Sequence, residues 1–244
     1  MILHKVLFIF LFVIIAFTTA QADRRKYVWT YQTTTSAPNS SELEFYQTGK
    51  QNSGQADKWE YRIELEQGIS PKFDIAVYQI FSQTEGASLK WDAFQFRGRY
   101  RIGLAGTISF DPVIYMEYRR KLENQSGQNK FELKLLLGKD FKKINISLNP
   151  LIETMWAGGY KPYQEVGVDA GVSYAPSFRL SLGIESISRK YFYSETNRED
   201  KFKTAVGPTV SYAVGDNFYT VGVAWGVNKN ADDIQFRFIM GIGL

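Results

Sequence analysis

Cysteine is absent from the 244-residue chain, and histidine occurs once, as His4. The lack of cysteine excludes disulfides, thiolate metal sites and attachment of a lipid through a cysteine. Residues 23–244 also lack histidine, so serine–histidine and aspartate–histidine hydrolysis have no candidate base there. A same-face carboxylate pair such as Glu64 and Glu66 could do acid–base work, but such neighbours on a strand are more often solvated charges. We therefore expect no catalytic residue, no metal site, no cofactor and no enzymatic activity.

Long apolar runs are equally scarce, since the one such run in the chain is Val6–Phe17. At about twelve residues it is shorter than the ~20 that a membrane-spanning helix needs. A small-x-small site, Ala20 to Ala22, follows it and precedes a charged stretch. Residues 1–22 are therefore predicted to be a secretory signal peptide that is removed from the mature protein.

Charge of one sign does not dominate. Lysine and arginine number 29 against 25 acidic residues, a net charge of +4. No basic cluster is dense enough to indicate nucleic-acid binding, and we expect no nucleic-acid partner.

What the chain has in abundance is two-residue alternation. Residues 59–68 read WEYRIELEQG, with apolar side chains at odd positions from Trp59 to Leu65 and charged ones at even positions. Because a strand points successive side chains to opposite faces, this stretch has one apolar and one charged face. The same pattern predicts twelve strands, at residues 41–48, 58–68, 73–83, 94–102, 112–120, 130–137, 144–156, 165–174, 178–186, 202–212, 219–227 and 234–244.

The connections between these strands alternate between long polar loops and tight turns, which places long and short connections at opposite ends of one domain. Long loops are predicted at residues 49–57, 84–89, 121–129, 157–163, 189–201 and 228–233. Tight turns are predicted at residues 70–72, 103–106, 138–142, 175–177 and 215–217. Residues 41–244 form this domain, and residues 23–40 are interpreted as an N-terminal extension that lies in the periplasm or in the lumen.

Alternation alone does not say which face meets water, and a soluble lipocalin-like barrel or β-sandwich would show the same period. Strand length, one-sided loops and aromatic residues near strand ends favour a barrel with lipid outside. The last strand adds a resemblance: Phe236, Phe238, Met240, Ile242 and Leu244 resemble the C-terminal signal of bacterial outer-membrane β-barrel proteins. Leu244 stands where that class usually has an aromatic residue.

The resemblance implies an all-β, antiparallel up-and-down transmembrane β-barrel in the bacterial outer membrane. It further implies contact with outer-membrane lipid and insertion by the outer-membrane assembly machinery. Twelve strands are expected, with ten or fourteen as alternatives. The sequence predicts no oligomeric state.

In such a barrel the charged faces line the lumen. They include an acidic row on the second strand and an arginine row on the fourth, which would create a transverse field in an open pore. Equally, the charges could pair and fill a narrow interior. The predicted pore-lining residues are Glu60, Arg62, Glu64, Glu66, Arg97, Arg99, Arg101, Glu117, Arg119, Lys130, Glu132, Lys134, Glu165 and Asp169.

The first and last strands should meet where the barrel closes, and we expect Glu42 and Glu44 to approach Arg237 there. The functional expectation is a channel or transport-type protein for small polar or charged solutes. The alternative is a closed structural or surface-interaction barrel whose outward loops bind a partner.

Overall fold

The protein is described here by a computed structural model, which covers residues 24–156, 163–194 and 199–244. The predicted signal peptide, residues 1–22, lies outside the described residues. Over the covered ranges no helix combines the length and the apolar character that crossing a membrane requires.

Twelve antiparallel strands make up the structure, which confirms the predicted fold class and strand count. Each predicted strand corresponds to one observed strand. The strands are β1 Ser41–Gln51, β2 Lys58–Ser70, β3 Phe73–Thr84, β4 Lys90–Arg101, β5 Val113–Lys121, β6 Asn129–Phe141, β7 Ile144–Trp156, β8 Tyr163–Tyr174, β9 Leu180–Tyr193, β10 Lys201–Val214, β11 Asn217–Gly226 and β12 Ile234–Gly243.

The sheet is a closed barrel in which every strand pairs with its sequence neighbours and β1 pairs with β12. The pairing of β1 with β12 runs from Glu42 opposite Gly243 to Gln51 opposite Ile234. The predicted adjacency of the first and last strands is thus confirmed. Closure leaves the sheet without an edge, so every strand has hydrogen-bonding partners on both sides.

Burial along the strands shows which face is outside. On β2, Ile63 is 39% exposed whereas the next residue, Glu64, is 0% exposed. The same inversion holds on β6, where Leu133 and Leu135 are exposed and Lys134 is buried. A soluble barrel would bury the leucines and expose the lysine, so the apolar face is the outer one and the charged face lines the lumen.

The ends of the barrel differ largely as predicted, with one exception at the end that carries the short turns. A tight turn was predicted around Gly103 to Gly106, but residues 102–112 form a longer loop between β4 and β5. Backbone amides of Ile102 and Gly138 donate to the carbonyls of Pro112 and Phe110, at 2.9 and 2.8 Å. These bonds fasten the loop to the rim, which accounts for an ordered long connection at this end.

The inversion generates a stability prediction for the outer face of the barrel. Leu135→Arg places a charge in the middle of an outward-facing strand and should lower the free energy of unfolding in lipid vesicles by about 2–4 kcal/mol. The matched control is Leu89→Arg, because Leu89 is 54% exposed in the loop after β3. Urea titration of both variants in vesicles measures the difference. Equal effects of the two substitutions would contradict the assignment of the outer face to lipid.

Candidate functional site: a plugged lumen with a polar vestibule

The N-terminal segment, residues 24–37, lies inside the barrel and is called the plug below. Its stretch from Tyr27 to Thr30 is 7% exposed or less. Arg24 and Thr35 both bond to turns at the short-turn end, to the carbonyls of Phe178 and Pro71. The chain therefore enters the lumen at that end, turns around Trp29 and Tyr31, and returns to β1. This places the described part of the predicted extension, from Arg24 onward, in the lumen.

One buried carboxylate holds the apex of the plug. Glu185 on β9 accepts hydrogen bonds from the backbone amides of Val28, Trp29 and Thr30, at 2.8, 2.9 and 2.7 Å. Hydrogen bonds to a charged acceptor are the stronger kind, and three successive amides form a concave anion site. Glu185 is 1% exposed, so these amides supply the polar partners that a carboxylate inside the barrel needs.

Other wall residues bond the plug around this point. Asn149 accepts from the Tyr31 amide at 2.5 Å and donates to the Tyr31 carbonyl at 3.0 Å. Arg237 donates to the Val28 carbonyl at 3.0 Å. The Tyr27 hydroxyl donates to Asn145 Oδ1 at 2.9 Å, and burial raises the pKa of this hydroxyl so that it stays protonated. The plug backbone is irregular, and these side chains satisfy groups that a strand ladder would otherwise satisfy.

Glycines in the wall make room for the plug. A Cβ at Gly171 would lie 2.6 Å from the Tyr27 ring, and one at Gly222 would lie 2.5 Å from Val28. At Gly68 it would lie 1.9 Å from the Ala37 carbonyl oxygen. The wall and the plug thus fit each other at the level of single methyl groups.

Several of the predicted pore-lining residues form a buried ion-pair cluster beside the plug. Arg97 pairs with Glu64 at 2.7 Å and also with Glu66, and Arg99 pairs with Glu66 and with Asp74, the latter at 2.8 Å. The plug joins this cluster through the Ser36 hydroxyl, which bonds Glu66. The acidic and arginine rows are therefore paired with each other along one wall. Arg101 lies nearby, with its Nε 3.5 Å from the Thr35 hydroxyl.

The other predicted residues line an open cavity above the plug, called the vestibule below. Its volume is about 330 Å³, and the plug's Trp29 and Tyr31 form its floor. Glu60 lies at its edge, 2.7 Å from Arg62 and 3.0 Å from Arg119. Those predicted residues that line it are Arg62, Glu117, Arg119, Lys130, Glu132, Lys134, Glu165 and Asp169.

Most charges in the vestibule are paired along the wall. Lys130 lies 2.6 Å from Glu153, and Lys134 lies 3.1 Å from Glu132. Arg189 on β9 lies 2.6 Å from Asp169 and pairs with Glu165 as well. The vestibule therefore presents alternating charge on this side, suited to contact with polar and charged solutes.

Sequence reasoning left several vestibule residues out of the predicted set. Lys50 and Arg189 lie beyond the predicted ends of β1 and β9, and extending the alternation by a few residues would have placed both inside. Glu153 and Lys203 have the inward parity of their strands. Asp232 lies in a loop, and the floor residues of the plug carry no sequence signal for a lumenal position.

The predicted contact of Glu42 and Glu44 with Arg237 is replaced by other contacts. Although β1 and β12 are neighbours, the register sets Arg237 opposite Thr48, whose hydroxyl it bonds at 2.9 Å. Glu44 lies opposite Gly241 and pairs with Arg25 of the plug at 3.3 Å. Arg25 of the plug is thus the cation that pairs with Glu44, in place of Arg237 of β12.

Among the described residues, no group of three or more histidine, cysteine, aspartate or glutamate side chains could hold a metal ion.

Comparison with known proteins shows the fold. The sequence matches no protein-family model and no curated protein sequence. An outer-membrane channel of Pseudomonas putida is similar in structure, with a TM-score of 0.62 and 9% identity over 89% of this chain and 100% of that chain. The NanC porin has a TM-score of 0.55 and 14% identity, covering 82% of this chain and 97% of its own.

The KdgM porin, in complex with disordered oligogalacturonate, has a TM-score of 0.54 and 10% identity, covering 83% of this chain and 97% of its own. At these identities the likeness is one of fold. The chain has the fold of the bacterial outer-membrane β-barrel proteins, as its terminal alternating strand indicated.

The ion-pair cluster generates a prediction that separates packing from pore lining. Arg97→Ala removes the ion-pair partner of the buried Glu64 and leaves Glu66 with Arg99 alone, and it should lower the free energy of unfolding by about 3–5 kcal/mol because a buried carboxylate loses its cation. Arg101→Ala is the control, since among the described residues the Arg101 side chain forms one hydrogen bond, a long one to Thr35. Chemical unfolding in vesicles measures both, and a stability loss at Arg97 no greater than that at Arg101 would contradict the packing role.

Proposed function

We propose that this protein is a bacterial outer-membrane channel for small polar or charged solutes, gated by its own N-terminal plug. The observation that carries the proposal is the vestibule of about 330 Å³, which is lined mainly by charged and tyrosine side chains and ends on the plug. At ~30 Å³ per water molecule it has room for about ten waters or one small solute. A barrel with only a structural role has no need of such a cavity.

The vestibule would face the outside of the cell. In this class of barrel the longer loops are extracellular and the short turns periplasmic. The vestibule lies toward the long loops, while the plug enters at the short-turn end. Solutes would therefore reach the vestibule from outside and meet the plug before the periplasm.

Solutes could pass through the barrel only if the plug moved, and the structure of the plug allows such a movement. The segment from Arg24 to Ser40 contains no strand or helix. Its displacement would break side-chain bonds such as those of Glu185 and Asn149 and leave the β-ladder intact. Ordering and release of one segment is a recognised form of conformational switching.

The fold supports the proposal at a general level, since an outer-membrane channel and two porins are among the similar structures. We further propose that outer-membrane lipid covers the apolar face, that the outer-membrane assembly machinery inserts the barrel, and that the protein catalyses no reaction.

A second candidate function is a closed barrel whose outward loops bind a partner. The three amide bonds of Glu185 favour it, because they make the plug a firm part of the interior. The two candidates differ in whether loosening the plug opens a path for ions.

Single-channel recording in planar bilayers tests this difference with Glu185→Gln. The amide keeps the side-chain volume but replaces one acceptor oxygen by a donor, so it cannot accept all three plug amides. The unsubstituted chain should show small and brief openings, and the variant should be open about tenfold more of the time, which corresponds to ~1.4 kcal/mol of lost plug binding.

Glu123→Gln is the matched control, because Glu123 begins the short 3₁₀ helix Glu123–Gln125 between β5 and β6 and its side chain is 82% exposed. It should behave like the unsubstituted protein. If correctly folded barrels of both the unsubstituted chain and Glu185→Gln conduct no more than leak, the channel proposal is wrong and the closed barrel is favoured.

A further inference from the structure

A second cavity lies at the outer mouth of the barrel and is dominated by lysine. Its volume is about 460 Å³, and it is lined by residues of β1, β2, β10 and the loop between β11 and β12. We propose that it is a binding site for soluble multivalent anions, bearing carboxylate or phosphate groups. The inference rests on the proposed function for its role, the capture of solutes before they enter the vestibule. Its cationic lining, called the lysine mouth below, consists of Lys50, Lys58, Lys201, Lys203 and Lys229.

The charge balance of this cavity differs from that of the rest of the lumen. Five ammonium groups face one lining carboxylate, that of Asp232. Asp232 is shared, at 3.7 Å from Lys50 and 3.8 Å from Lys203. Elsewhere in the vestibule each lysine of β6 has a carboxylate within 3.1 Å. Among the described residues eight cations and six carboxylates line the vestibule, so the excess of cations is larger at the mouth.

Three of the five lysines have no carboxylate partner among the described residues. Lys58, Lys201 and Lys229 form no ion pair within 4.0 Å in residues 24–156, 163–194 and 199–244. The neighbouring Asp233 is engaged elsewhere, since it accepts from the amide and the hydroxyl of Ser53 at 2.6 and 2.7 Å. These bonds hold the pKa of Asp233 below its ordinary value, so it stays ionised and fixed to the β1–β2 loop.

Strand parity points the strand-borne lysines into the lumen. Lys50 has the parity of Glu44 and Thr48, both of which are buried in the interior. Lys203 likewise has the parity of Thr209 and Ser211 on β10. Because these side chains face away from the outer surface, the site fits a dissolved anion better than the headgroup of a lipid in the bilayer.

The lysine mouth continues into the vestibule. Lys50, Lys203 and Asp232 line both cavities. Deeper on the same side, Arg237 bonds Thr48 and the Val28 carbonyl and has no carboxylate within 4.0 Å among the described residues. Cations thus follow β1, β10 and β12 from the mouth down to the plug, and an anion bound at the mouth would find a further cation at the floor.

The lining also indicates how selective the site is. Lysine is a flexible point charge, whereas arginine offers a planar fork that recognises one carboxylate or phosphate geometry. A site built from five lysines should therefore select for the number of negative charges more than for shape. Binding should weaken with added salt, because exposed charges are screened within about 10 Å at 0.1 M.

The test is isothermal titration calorimetry of the full barrel in neutral detergent at low salt, with citrate as probe and acetate as the monovalent comparison. Citrate should bind, and acetate should bind at least about tenfold more weakly. The variant Lys58→Gln, Lys201→Gln and Lys229→Gln should weaken citrate binding by about tenfold or more. The matched control replaces three exposed lysines of the opposite end, Lys139, Lys142 and Lys143, with glutamine and should leave binding unchanged.

Equal loss of citrate binding in both triple variants, or no citrate binding by the unsubstituted chain, would overturn the proposal. Purified lipopolysaccharide is titrated as a separate arm. Binding of lipopolysaccharide that depends on the three mouth lysines, without citrate binding, would overturn the assignment to a soluble anion. Circular dichroism verifies that each variant keeps its β-structure.

The outcome is separable from that for the channel. Lysine-dependent citrate binding by a barrel that conducts no ions would support the anion site and contradict the channel proposal. Conductance without citrate binding would support the channel and contradict the anion site.

Discussion

Hydrocarbon cannot accept or donate hydrogen bonds, and the membrane environment proposed for this protein would impose that constraint on its architecture. Twelve amphipathic strands present leucine, isoleucine and aromatic side chains outward, so their backbone groups must be satisfied within the sheet. Pairing of β1 with β12 completes that requirement by removing the last edges. The charged faces of the strands must then point inward. The medium around the barrel therefore determines which side chains line the lumen.

An interior so rich in charge creates a second requirement, since each buried charge needs a partner. Some of these partners are other wall residues, as where Arg97 forms ion pairs with carboxylates of β2. Glu185 on β9 has no ion-pair partner among the described residues, and three backbone amides of the plug donate hydrogen bonds to it instead. The plug is therefore as much a part of the polar packing of the lumen as it is a barrier. The gating proposal depends on the balance between these two roles.

The strands and the inversion were predictable from sequence because both depend on a period of two that recurs along the chain. The pairing of first and last strands followed from closure. What the sequence could not supply was the register and the path of residues 24–40. The prediction that Glu42 and Glu44 approach Arg237 was wrong because a side-chain pair across a seam depends on the register, which alternation does not specify.

The sequence left the position of residues 23–40 open between the periplasm and the lumen for a related reason. Val28, Trp29 and Tyr31 look like a strand fragment, and their position in the lumen depends on Gly171, Gly222 and Glu185, which come much later in the chain. The split of the predicted pore residues into a paired cluster and an open vestibule follows from where the plug lies. Residues that lie just past the predicted end of a strand, such as Lys50, could have been predicted by extending the alternation.

The position of the plug before β1 also bears on how the barrel is assembled. Several of its hydrogen bonds join residues 118 to 209 positions apart, from Tyr27 with Asn145 to Val28 with Arg237. The first described residues of the chain can therefore form these contacts only after β7, β9 and β12, which are synthesised later, are in place. The segment leads directly into β1, the strand that closes the seam with β12, so the barrel encloses a segment that was synthesised before its walls.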